Sequence, residues 1–205
     1  MEKRWVAVLV GDVVASRKAE VEEWLVPLKS FLSRFGQEGM DWNVYRGDSF
    51  QLRTDAENAL NVAFRLRAHM LAAGKFDVRI AIGLGEETYH SDRVAESNGS
   101  AYVRSGSAFE ALKKGAVQVD SGRSAFDEPI NLMLKLSERV TRKWSPVVAE
   151  TVTHKLEHPE INQSDLAEAL GKSQSTVSDT LKRSGVDDIY RILKYYNTHL
   201  NMLYA

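Results

Sequence analysis

Apolar and polar positions divide the chain into short strands and longer helices. Trp5 to Val10 is an apolar run stopped by Gly11, the pattern of a strand buried on both faces. From Ala19 to Phe35 the residues Val21, Trp24, Leu25, Leu28, Phe31, Leu32 and Phe35 recur at helical spacing. Gly36 and Gly39 end that helix. Asp41 to Arg53 predicts two strands around a turn at Arg46-Gly47-Asp48, with Phe50 and Leu52 on one face. A second helix spans Asp55 to Ala73, with Ala59, Val62, Ala63, Leu66 and Met70 on one side and Gly74 closing it. Asp77 to Leu84 is a further strand, rich in β-branched residues and ending at glycines. The order strand, helix, strand, strand, helix, strand predicts an α+β, ferredoxin-like (βαββαβ) domain, an antiparallel sheet with two helices on one face.

Beyond it, Glu86 to Ser100 reads as a polar loop, Ala101 to Lys114 as a helix and Ala116 to Val119 as an edge strand. Ser121 to Asp127 links to an all-helical part, with helices expected at 127–142, 144–158, 163–170, 174–183 and 187–203. The expected division is residues 1–122 and 123–205.

Within the second part, the run from about Ile161 to Ser184 reads as a helix-turn-helix. Ala167 is small where two helices would cross, and Gly171 suits a turn that needs positive φ. Leu166, Leu170, Val177 and Leu181 would form the wedge between the helices, and Ser173 can cap the second one. Ser173, Gln174, Ser175, Thr176 and Ser178 cluster near that helix's start, where a recognition helix meets base edges and phosphates, with Lys182 and Arg183 further along. The run resembles the helix-turn-helix family, which implies double-stranded DNA as partner.

Charge narrows that reading. The whole chain carries a formal net charge of −1, so any DNA contact must come from a local patch and a docking shape. From Gln163 to Arg183, Asp165, Glu168 and Asp179 balance Lys172, Lys182 and Arg183. A neutral module neutralises few phosphates, which favours a homodimer. The stripe Ile189, Ile192, Leu193, Tyr196, Leu200 and Leu203 reads either as a dimer seam or as packing within its own domain. A hydrophobic share of 43% and a charged share of 27% suit a folded globular chain. The absence of cysteine removes disulfides, thiolate metal sites and cysteine nucleophiles, and fits a reducing cytoplasm. No apolar run is long enough for a membrane span, so no membrane partner is expected.

Candidate chemistry sits in the first part. Asp12 ends the first strand and Asp48 lies in the turn before the third. Those strands are neighbours in a split βαβ sheet, which should bring the carboxylates together as a Mg²⁺ or Mn²⁺ site. Gly11 and Gly47 would let a nucleotide approach the backbone, and Arg17, Lys18, Arg46 and Arg104 could hold its phosphates. The competing reading is that both aspartates cap turns.

Here a second resemblance enters. Val10-Gly11-Asp12-Val13-Val14-Ala15-Ser16-Arg17-Lys18 and Gly47-Asp48-Ser49-Phe50-Gln51 are similar to the opening and GDEFQ motifs of the bacterial SatD-like family. The stretches Val78 to Gly85 and Ser97 to Tyr102, and a terminal helix-turn-helix, continue the match. More distantly, the first 120 residues resemble the palm-like domain of class III nucleotide cyclases and GGDEF diguanylate cyclases. That resemblance implies Asp12 and Asp48 as metal ligands. The chain departs from both patterns. Arg46 stands where a GGDEF site has a second glycine, Ser49 where it has a further acid, and Ser100 where a cyclase has an Asn four residues before its Arg.

His154, Glu157 and His158 fit an H-x-x-E-H zinc pattern. No glutamate follows Glu168 to act as third ligand, and Pro159 ends the helix, so a solvated last turn is expected instead. The sequence thus predicts a cytoplasmic bacterial DNA-binding regulator with a cyclase-like sensing or oligomerisation domain. The alternatives are a metal-dependent nucleotidyl cyclase with an appended helix-turn-helix, and a catalytically inactive interaction scaffold.

Overall fold

A computed structural model describes residues 4–45, 47–74, 76–112 and 116–203. β1 (Arg4–Val13) lies antiparallel between β3 (Ser49–Thr54) and β4 (Val78–Tyr89). β2 (Trp42–Tyr45) extends the sheet past β3. On the other edge β4 pairs with both β5 (Asn98–Gly99), antiparallel, and β6 (Val117–Asp120), parallel. With α1 (Val21–Leu32) and α2 (Ala59–Gly74), the element order through β4 is the expected one, in a mixed α+β fold.

Two strands run past the glycines expected to stop them. β1 continues through Gly11 because Gly11 to Val13 pair with β4, and Gly11 and Asp12 with β3. A side chain at Gly11 has no room: a Cβ would lie 2.4 Å from the Arg79 carbonyl oxygen and 2.5 Å from the Phe50 ring. β4 continues to Tyr89 because its glycines serve packing. A Cβ at Gly83 would lie 2.1 Å from the Ala101 carbonyl oxygen, in the first turn of α3 (Ser100–Ala111). The expected polar loop is correspondingly shorter.

Period-two alternation splits the two faces. Ala7, Leu9 and Val13 face the large core that includes α1 and α2, while Val6, Val8 and Val10 pack with Ala101 of α3 on the opposite face.

Five helices follow: α4 (Ser124–Thr141), α5 (Pro146–Glu157), α6 (Gln163–Ala169), α7 (Gln174–Ser184) and α8 (Val186–Leu200). α5 packs on α2, and the large core runs without a break from Leu60 and Leu66 through Val152 and Leu156 to Val177 and Tyr196. Buried polar contacts reinforce that junction. The Arg67 side chain of α2 is 1% exposed. Its Nε and Nη2 donate to both Asp77 carboxylate oxygens at 2.7 and 2.8 Å, its Nη1 donates to Thr141 Oγ1 of α4, and its guanidinium lies over the Trp144 ring. Trp144 Nε1 in turn donates to the Ser184 carbonyl at the end of α7, at 2.9 Å. Tyr196 of α8 donates to the Ala56 carbonyl at 2.7 Å.

The α8 stripe is internal packing. Ile189, Ile192, Leu193, Tyr196, Leu200 and Leu203 are all buried within their own chain, so they form no open seam for a second copy. No helix among the described residues is long and apolar enough to cross a membrane.

Candidate functional site

Two regions gather the residues singled out by the sequence. The first is the α6–α7 hairpin. Asn162 caps α6, accepting hydrogen bonds from the backbone N–H groups of Ser164 and Asp165 at 2.9 and 3.0 Å. Gly171 turns the chain at φ +61°. Ser173 then caps α7 by accepting from Thr176 N at 3.2 Å. Leu166, Ala167, Val177 and Leu181 are buried between the helices, and Leu170 packs half-buried against them. That burial leaves the other side of α7 to solvent: Ser173, Gln174, Ser175, Thr176, Lys182 and Arg183 are exposed and Ser178 is partly so. Lys172 is drawn away, forming an ion pair with Glu150 of α5 at 2.7 Å.

The second region is a cavity of about 570 Å³ at the end of β1, lined by Asp12, Val13 to Lys18, Asp48 and Arg79. β1 and β3 bring Asp12 and Asp48 to it as the strand order requires. Between β1 and the 3-10 turn Ser16–Lys18, Ala15 adopts the left-handed conformation, φ 62°, an uncommon one for a residue with a Cβ. Ser16 is buried and donates to the Asp48 carboxylate, while Val13 N donates to the Asp48 carbonyl at 3.2 Å. The β2–β3 turn is thereby tied to the end of β1. Arg17 and Lys18 are exposed at the mouth and make no ion pair with the described residues.

Arg79 decides the chemistry of this pocket, and sequence reasoning missed it. It faces Asp12 directly across the β1–β4 ladder. Its Nε donates to Asp12 Oδ1 at 2.9 Å and its Nη2 donates to Oδ2, a two-pronged pair. Phe109 of α3 lies against the guanidinium, 5.4 Å from its ring centroid. The Asp12 hydrogen bond, outweighing partial burial, and then the charges of Asp12 and Asp48 push the guanidinium above its ordinary value. The two carboxylates do share a pocket, but a protein cation already stands among them.

The remaining expected residues are placed as follows. Gly47 has φ +88° with open space around it, suiting a tight turn. Gly11 offers no backbone access, because the Phe50 ring fills that space. Arg104 is not at the pocket. It donates to the Leu84 carbonyl at 2.7 Å and covers Gly122, fastening α3 to the sheet. Arg46 lies outside the described residues. The donor set does not suit a resident Mg²⁺ or Mn²⁺: both oxygens of Asp12 accept from Arg79, and Asp48 accepts from Ser16. No group of three or more His, Cys, Asp or Glu side chains suited to a metal occurs among the described residues. Of the zinc-like trio, Glu157 pairs with Arg34 and Arg65 instead.

No protein-family model matches the chain, and no curated protein matches it. Among solved structures, a chain of the crystal structure of a Csm1-Csm4 cassette in complex with cA4 aligns at 14% identity and a TM-score of 0.34. The match covers 94% of this chain and 36% of that one, so this chain spans about a third of its neighbour's length. At that score the likeness carries no argument.

Proposed function

We propose that the protein is a DNA-binding regulator, in which a ferredoxin-like, palm-like domain of SatD-like character governs a helix-turn-helix. The observation that carries this reading is the first turn of α7. It is capped by Ser173, presents Gln174, Ser175 and Thr176 to solvent, and stands on a buried wedge. Short polar groups at the N-terminal end of an exposed helix are what major-groove readout requires. Lys182 and Arg183 in its last turn supply phosphate contacts. With so few cations the module binds DNA as two copies on one operator, through a surface other than the buried α8 stripe. Selection from random duplexes tests the reading. The wild type enriches a sequence, its affinity falls with salt, and Gln174→Ala/Thr176→Ala weakens specific binding by about 10- to 100-fold or more. Absence of sequence-selective binding at moderate salt overturns it.

The second reading, a metal-dependent nucleotidyl cyclase, draws on one observation: Asp12, Asp48, Arg17 and Lys18 line one cavity. It requires product from labelled nucleoside triphosphates with Mn²⁺, abolished by Asp12→Asn and Asp48→Asn. The Asp12–Arg79 pair favours the regulator over it.

A further inference from the structure

We infer that Arg79 is a built-in cation that excludes divalent metal from the Asp12–Asp48 pocket and makes the pocket a receptor for a phosphate-bearing small molecule held without metal. This deepens the regulator reading by naming the ligand class of its first domain.

Three observations converge on it. First, a hard dication needs several oxygen ligands with free lone pairs. Here both Asp12 oxygens accept from one guanidinium, and one oxygen of Asp48 accepts from buried Ser16. A dication must either expel Arg79 or sit beside it, where like charges repel. Second, Arg79, although its side chain is 37% exposed, is held from more than one side. Besides the two-pronged Asp12 pair, its Nη1 reaches the Leu112 carbonyl at 3.4 Å, and the Phe109 ring backs it. Third, once those pairs are formed, the charged side chains left at the mouth are Arg17 and Lys18, both exposed and without an acid partner among the described residues. Among the described residues the lining holds three cations, Arg17, Lys18 and Arg79, against two carboxylates. The uncommitted charge is therefore positive. A cavity of about 570 Å³ lies within the usual range for small-molecule sites. Arginine and lysine recognise phosphate oxygens by charge-assisted hydrogen bonds, without a metal between them.

The test uses the full chain and two independent probes. Mn²⁺ is titrated into wild type and Arg79→Met while the paramagnetic resonance signal of the free ion is followed. The wild type leaves the signal unchanged, and Arg79→Met, which frees both Asp12 oxygens and removes the competing cation, depletes it. Inorganic phosphate and a nucleoside triphosphate are then titrated in EDTA, with the melting temperature as readout. Both raise it in the wild type if a bare phosphate suffices, and the triphosphate alone does so if the nucleoside is also read. Either shift disappears in Arg17→Gln/Lys18→Gln. Mn²⁺ depletion by the wild type overturns the exclusion and returns the pocket to the cyclase reading. A shift absent in EDTA, or surviving in the double variant, overturns the receptor assignment. Should Arg79→Met not fold, Arg79→Gln takes its place, and a folded Arg79 variant that leaves the Mn²⁺ signal unchanged also overturns the exclusion. None of these readouts involves DNA, so their failure is distinct from failure of the regulator reading.

Discussion

Arg67 and Arg79 belong to the same residue type and stood equally unremarked in the sequence, yet each organises its surroundings. Arg67 was hidden because its helix reads as an apolar face with charges between, and burial of one such charge appears only when α4 and α5 close over α2. Arg79 was hidden because its meaning depends on strand register. Asp12 could be placed at a strand end by pattern alone, whereas its partner across the ladder could not. Truncating Arg67 leaves the Asp77 carboxylate, Thr141 and the Trp144 face without their common partner. Arg67→Ala should cost about 3 kcal/mol, lowering the melting temperature by roughly 6–12 °C in calorimetry. His69 offers a pH test. Burial first, then the Arg34 charge, hold its pKa below the ordinary 6.5, and its Nε2 lies 3.1 Å from the Pro27 carbonyl. The unfolded chain therefore takes up the proton first. This contribution to stability is complete above about pH 6.5 and is lost as pH falls through the window just below. Denaturant midpoints should drop across that window in the wild type and stay flatter in His69→Gln.

Elements were legible where periodicity was strong. The helices expected at 163–170 and 174–183 are observed at Gln163–Ala169 and Gln174–Ser184, since capping residues and a turn glycine fix both ends locally. β1 and β4 run longer than the pattern predicts, because glycine reads as a stop signal in sequence. In β1 and β4 it instead admits a neighbour, the Phe50 ring at Gly11 and the backbone of α3 at Gly83. The parallel pairing of β6 with β4 had no local signature at all. Nor did the placement of Arg104, which depends on the contact of α3 with Gly85 and Gly122. Of the candidate site, the residues of the α7 turn and the Asp12–Asp48 convergence were legible, and the nature of the pocket was not. The α7 cap can be checked directly. Ser173→Ala removes the acceptor for Thr176 N and should cost about 1 kcal/mol, seen as a melting shift of roughly 2–4 °C.

For the whole molecule, the expected boundary near residue 122 marks the change from mixed strands and helices to helices alone, while the core crosses it. Leu66 and Val152 belong to one buried cluster, and Tyr196 and Ala56 are joined by a hydrogen bond 140 residues apart in sequence. Calorimetry should therefore give one cooperative unfolding transition, and two resolved transitions would contradict the shared core. The same continuity joins the pocket to the α7 hairpin. Val14 N donates to the Asp77 carbonyl at 2.8 Å, the Asp77 carboxylate holds Arg67, Arg67 lies over Trp144, and Trp144 holds the end of α7. An indole in that position is an optical probe supplied by the chain itself. Any displacement of α7 from the α4–α5 junction stretches the Nε1 bond and lets water reach the ring, which moves its emission to longer wavelength. With Trp5, Trp24 and Trp42 replaced by Phe, fluorescence would follow α7 at a single point, in real time and without a label.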